Sequence, residues 1–337
     1  PPPSGRPAPP PRPPPPASPP SAYGGRSPPK SPSPAGGGNG GIFREEAVWI
    51  IPAPFDPNEL PSHVLDGLSW EDERSHRKKT CRFLEEAGRR LKLPKVTTAT
   101  AEVFFHRFFA KQSLTRHDRF EIAVACLFLA AKTEESPRKL SAVLECCHRL
   151  KSDSAAARTP GARRAAAPPP PAALRERVLL LERLVLHTIS FDLSVDHPFA
   201  PAVDIIAKLG GEGLEAVDGR DVTKQALIQE LLQASVAFVN DSLQTCLCIQ
   251  FAPRDIAAGC VYMAGRKTGI RPRRREWTEV LPVGLGPLVA ITEQMIELCA
   301  DRKVFAEAFK QIRADLAAAT ASAKGGVRDE RKRPRLK

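Results

Sequence analysis

Eight cysteines and seven histidines are the residues of this 337-residue chain best suited to metal binding or nucleophilic chemistry. Cys146-Cys147-His148 and the pair Cys246/Cys248 are the dense groups. Neither has the paired-ligand spacing of a zinc site, and both lie in apolar helical patterns, so they read as buried thiols. No glycine loop follows a strand to cradle phosphate, and no nucleophile-elbow pattern occurs. The histidines are scattered along helices and loops. The chain therefore reads as non-catalytic, with no metal and no cofactor. Absence of a signal-peptide pattern and of any Cys-x-x-Cys pair fits a reducing intracellular setting. No apolar run reaches membrane-spanning length. The chain opens on Pro rather than Met, which reads as a fragment.

Basic residues are the other group with chemical potential, and their position matters more than their sum. The net charge is +12, but residues 1–44 carry +5, residues 324–337 another +5 and the stretch 151–171 a further +3. The remaining core is close to neutral, about −1, which disfavours a general nucleic-acid binder. Within that core, Arg271, Arg273, Arg274 and Arg275 form one basic cluster, a candidate contact for RNA or phosphate groups as well as a plain solvated loop. At the C-terminus Arg331, Lys332, Arg333 and Arg335 in RKRPRLK form a candidate nuclear-import patch.

The elements that must position these residues are helices. Residues 1–46 are rich in Pro, Ser and Gly and cannot bury enough surface to fold, so a disordered tail is expected, with Ser18, Ser27, Ser31 and Ser33 each preceding a proline. Apolar spacing then predicts helices over about 69–91, 97–111, 118–132 and 172–189, with Pro94 ending the first. SPRKLSAVLECCHRL is expected to form another, with Ser136-Pro137 as cap and first turn. Residues 151–171 are a low-complexity insert. Further helices are expected over 199–209, 222–240, 253–267 and 289–298, and a terminal one over 302–322. No strand pattern appears, so the fold class is all-α.

The chain nearly repeats itself. IAVACLFLAAK (Ile122–Lys132) returns as IAAGCVYMAGR (Ile256–Arg266) at an offset of 134 positions, with Ile122, Ala123, Cys126 and Ala130 unchanged. Both stretches mix small and large apolar residues all round, as buried helices do. Two copies of one helical module follow.

Five helices, a short linker and a second helical set resemble a tandem pair of cyclin boxes. LFLAAKTEESPRKL (127–140) resembles the third-helix signature of transcription-elongation cyclins of the T and K types, and TTATAEVFFHRFF (97–109) their second helix. FVNDSLQTCLCIQFAPRDIAAGCVYMAGR (238–266) is similar to their second box, Asp196–Pro198 to the interbox linker, and NELPSHVLDGLS (58–69), with Trp49, to the segment before the first box. The likeness leans to the plant- and alga-like T variety, with the K type close behind. It implies an N-terminal box over 47–192, a C-terminal box over 193–313 and a basic tail over 314–337.

The resemblance also implies a site. Lys132, ending the third helix, and Glu182, in the fifth, match positions that contact a kinase beside its regulatory helix. Phe128, Glu135 and Phe191 match further kinase-contact positions, and Arg77 the first-helix arginine that braces this region. The residue types alone favour an internal Lys132–Glu182 ion pair. The implied function is a non-catalytic regulatory subunit that activates a transcriptional cyclin-dependent kinase. Through that kinase it would act on the C-terminal repeats of RNA polymerase II in the nucleus. A DNA-binding general transcription factor of the TFIIB kind is the alternative from another class, disfavoured by the near-neutral core and the missing zinc ribbon. A splicing-linked L-type cyclin is another alternative, and an Arg/Ser-rich tail is absent. Cell-cycle cyclins have an apolar run where this first helix carries HRKKT.

Overall fold

Polar caps and prolines start several of the helices close to where the sequence places them. Ser69 accepts a hydrogen bond from the Asp72 amide to open α2 (Trp70–Arg90), which follows the short helix α1 (Pro61–Asp66). Lys95–Lys111 is α3, and Asp118 caps α4 (Arg119–Thr133) by accepting from the Phe120 and Glu121 amides. Leu140–Ala156 is α5 and Ala172–Thr188 is α6. This computed structural model describes residues 56–156, 172–299, 310 and 312–321, the side chains of 154–156 excepted. The Pro-rich tail with Trp49, most of the 151–171 insert, and Arg331, Lys332, Arg333 and Arg335 lie outside the described residues.

The second helical set comprises α7 (Phe199–Glu212), α8 (Lys224–Ser242), α9 (Pro253–Thr268), the single turn α10 (Trp277–Val280) and α11 (Leu285–Cys299). A helical segment over 312–321 adds Ile312 and Leu316 to its core, so packed structure continues past residue 313. Two apolar clusters result, one built on α2–α6 and one on α7–α11 with that last segment. A small third cluster of Ala99, Val103 and Leu243 joins them.

Two expectations are corrected. Strands exist: β1 (Leu214–Ala216) pairs antiparallel with β2 (Ile270–Pro272), in the register Glu215 opposite Arg271. At three residues each they are too short to show a period of two. Ser136-Pro137 does not open α5, which begins four residues later at Leu140. Arg138 is drawn away instead, donating to the carbonyls of Leu91 and Lys92 at the end of α2 (3.1 and 2.8 Å).

The repeat is borne out in geometry. α4 begins at Arg119 and α9 at Pro253, offset by the same 134 residues. Each ends on a left-handed residue, again at that offset: Glu135 with φ 49° and Gly269 with φ 66°. Lys132 forms an ion pair with Glu182 of α6, and its counterpart Arg266 forms one with Asp315 of the 312–321 segment. Leaving out the single turn α10, that segment is the fifth helix of the second set, as α6 is of the first.

Candidate functional site

The ends of α4 and α6 carry the predicted residues. Lys132, in the last turn of α4, leaves the apolar core and is 46% exposed, whereas its partner Glu182 on α6 is only 8% exposed. Its ammonium also sits 4.5 Å from the centre of the Phe128 ring, one turn earlier and half-buried. A cation over an aromatic face gains about 0.5–1 kcal/mol at an exposed site. The internal ion pair allowed by residue types is therefore present. It leaves a partly exposed ammonium beside an aromatic surface.

Glu135 follows three residues on, exposed, and its carboxylate makes no bond to a described residue. Its left-handed backbone lets the Ser136 amide donate to the Ala131 carbonyl (2.9 Å), closing the end of α4. A non-glycine residue there costs about 1–2 kcal/mol. Its counterpart in the second copy is glycine and escapes that cost.

At the end of α6 the same thing happens twice over. Ser190 and Phe191 both have positive φ (55° and 58°), and the Phe191 amide donates to the Leu186 carbonyl (2.9 Å). Phe191 is nevertheless 60% exposed, its ring packed edge-on against His187 at 5.2 Å. A bulky aromatic is thus held out to solvent on strained backbone, a pattern concentrated at functional sites. Lys132 touches both Glu182 and Phe128, while Glu135 and Phe191 stand at the tips of the same two helices.

Arg77 stands elsewhere. It is 1% exposed and donates to the Glu73 carboxylate (2.6 and 2.9 Å), the Phe109 carbonyl (2.8 Å) and His106 Nδ1 (3.1 Å). Such a side chain has no surface to offer a partner. It braces α2 against α3. His106 in turn donates from Nε2 to the Leu243 carbonyl (3.0 Å) in the second set. Burial first, then the Arg77 charge, hold His106 down to a pKa of about 3. The neighbouring Glu102 is fully buried with neither carboxylate oxygen hydrogen-bonded, and burial pushes its carboxyl well above the usual range.

Two features were missed at the sequence level. Leu180 on α6 is 60% exposed, and Arg183 and His187 continue its exposed face at three- and four-residue spacing. The signal was VLLLERLVL, more apolar than a helix with one buried face requires. Arg74, Lys78 and Arg82, at four-residue spacing on α2, reach Glu297, the Leu298 carbonyl (2.9 Å) and Gln244 (3.2 Å) of the second set. Lys78 of the HRKKT stretch, with Arg74 and Arg82 on either side of it, thus helps join the two sets of helices.

Other candidates carry less. Arg271 and Arg273 both turn to Glu215 (2.8 and 3.7 Å), which occupies part of the basic cluster. Among the described residues no three His, Cys, Asp or Glu side chains gather as a metal site requires. Burial raises Cys246 to a pKa of about 11 and Cys248 to about 12, far from reactive thiolates. No described helix is long and apolar enough to cross a membrane.

Paired helical sets, with a charged and aromatic rim where the third and fifth helices of the first set end, have the architecture of a tandem cyclin-box fold. The sequence model of the cyclin N-terminal domain matches residues 58–194. Cyclin-T1-3 of Oryza sativa subsp. japonica is 38% identical over 258 residues, 74% of this chain and 49% of that protein. Putative cyclin-T1-1 of Arabidopsis thaliana is 34% identical over 237 residues, covering 69% of this chain and 87% of its own length. A chain of the yeast RNA polymerase II CTD kinase CTDK-1 complex shares the fold, with a TM-score of 0.55 at 14% identity, covering 74% of this chain and 77% of that one. The chain belongs to the cyclin family, and among its relatives stand T1-type cyclins of plants. It spans about half or less of the length of the first five such relatives.

Proposed function

We propose that this cyclin is the non-catalytic regulatory subunit of an elongation-type cyclin-dependent kinase. Its boxes run over about 47–192 and from 193 through the 312–321 helix, with a basic tail beyond. The rim at the ends of α4 and α6 meets the kinase beside its regulatory helix. Lys132 and Glu182 offer both charges, Phe128 and Phe191 an apolar centre, and Glu135 a further acid, while Arg77 sets the geometry from inside. Binding shifts the kinase towards the state in which its lysine–glutamate pair is formed. The holoenzyme phosphorylates the C-terminal repeats of RNA polymerase II in the nucleus and promotes elongation. Arg331, Lys332, Arg333 and Arg335 serve import, and the free part of the Arg271–Arg275 cluster contacts RNA or phosphate groups.

One observation carries this reading: an exposed aromatic, Phe191, and an exposed acid, Glu135, are both held on left-handed backbone beside the Lys132–Glu182 pair. Exposure of apolar surface and backbone strain each cost free energy that a bound partner offsets. The test is mass spectrometry of proteins co-purified with the tagged chain, followed by activity of the recovered complex on a polymerase-repeat peptide. A cyclin-dependent kinase is expected as the main partner. Recovery of promoter DNA or splicing factors without one would overturn the proposal.

A further inference from the structure

The turn from Ser136 to Lys139 is absorbed by neither helix nor proposed contact. It belongs to no helix or strand, with Pro137 and Lys139 exposed and Arg138 turned inward. A serine followed by proline, with a lysine three positions on, is the pattern proline-directed protein kinases accept. Ser136 is half-buried, its hydroxyl 2.9 Å from that of Thr97 in the first turn of α3. One turn further along α3, Thr100 donates to the Glu134 carboxylate at 2.7 Å. Two threonine hydroxyls therefore dock the end of α4 on α3, with Glu135 between the two docked residues.

We infer that Ser136 is a phosphorylation site for a proline-directed kinase acting on the free chain, and that its phosphate disables the kinase-binding rim. The inference rests on the function proposed above. Ser136 Oγ attacks the γ-phosphorus of ATP and a new O–P bond forms. The bond from that phosphorus to the bridging oxygen breaks, ADP leaves, and the hydroxyl proton passes to the modifying kinase's catalytic base. Opening the turn to a kinase breaks the Ser136–Thr97 bond, the Ser136 amide's bond to Ala131 and the bonds from Arg138 to Leu91 and Lys92, so modification proceeds through a locally opened minor population. The modified residue cannot return to the same contact, because its partner Thr97 is fully buried and a phosphate carries charge that burial disfavours. A charge of about −1.5 to −2 would also face Glu134 and Glu135 at the negative end of α4. The turn leaves Thr97 and Thr100, moves Glu135 out of place and offers Lys132 a competing anion.

The full chain is treated with a purified cell-cycle cyclin-dependent kinase and magnesium ATP, and phosphates are mapped by mass spectrometry. Ser18, Ser27, Ser31 and Ser33 act as controls within the same molecule. Ser136→Ala, treated identically, isolates the effect of the tail sites, and both proteins are titrated against the elongation-type kinase. Treated wild type should carry phosphate on Ser136 and bind about tenfold more weakly or worse than untreated wild type, while treated and untreated Ser136→Ala bind equally. Modification of the tail serines but not of Ser136 overturns the inference, as does a Ser136 phosphate that leaves affinity unchanged or raises it. Failure of the untreated chain to bind any such kinase marks failure of the underlying function instead, and removes the affinity half of the inference while the phosphate map still decides the site.

Discussion

Replacing Glu135 by glycine should make this protein more stable and a poorer kinase partner. The residue ends α4 at φ 49°, where its counterpart in the repeat is Gly269 at φ 66°. Relieving the left-handed strain returns about 1–2 kcal/mol. Glycine's extra freedom in the unfolded chain takes back roughly 0.5–1 kcal/mol. Removing an exposed acid from a helix C-terminus adds a few tenths of a kcal/mol. The net is a gain of about 1 kcal/mol, or roughly 2–4 °C in melting temperature for a folded unit of this size. Affinity for the elongation-type kinase should fall about tenfold, the usual scale for one interface charge. Thermal unfolding and a titration on the same preparation test both halves. Lower stability together with unchanged affinity would refute the reasoning, because Glu135 would then be a structural cap and nothing more.

Two further outcomes concern the scaffold. His106 is neutral in the fold with a pKa of about 3, below the ordinary 6.5, so the unfolded chain binds the extra proton and stability falls as pH drops from about 6.5 towards 3. Between pH 7.5 and 5 wild type should lose about 2 kcal/mol relative to His106→Gln in urea unfolding. The raised carboxyl of Glu102 pulls the other way on acidification but cancels in that difference; parallel pH profiles for the two proteins would contradict the assignment. Gly265→Ala should destabilise by about 1–2 kcal/mol despite better helix propensity, since its Cβ would lie 2.2 Å from the Trp277 ring and 3.0 Å from the Ile270 carbonyl. An unchanged urea midpoint would mean that the Trp277 ring moves freely aside.

Much of the helical frame was legible because buried and exposed positions alternate at helical spacing and caps or prolines mark several starts. The repeat was legible because Ile122, Ala123, Cys126 and Ala130 recur, and both copies of the helix are buried. Ser136-Pro137 misled because a cap signal says nothing about Arg138, whose guanidinium is held by the carbonyls of Leu91 and Lys92. The β1–β2 pairing was hidden in six residues with no alternation to read. At the candidate site, the family resemblance singled out Lys132 and Glu182, their opposite charges allowed an internal pair, and the structure joins them. Sequence could not show that Glu135 and Phe191 stand on left-handed backbone, since neither is a glycine, nor that Leu180 faces solvent within an apolar run. Arg77 shows the reverse: a charged residue in a basic stretch that packing places wholly inside.

The central claim is that the Lys132–Glu182 pair meets a kinase and does more than hold α4 to α6. Exchanging the two, Lys132→Glu with Glu182→Lys, keeps the internal ion pair while reversing the charge presented at the rim. Calorimetric titration of the exchanged protein against an elongation-type cyclin-dependent kinase tests the claim most directly. The expected result is a melting temperature close to that of wild type with affinity lower by about 30-fold or more, the scale of 2 kcal/mol for a mismatched interface charge. Undiminished binding by the folded, exchanged protein would contradict it.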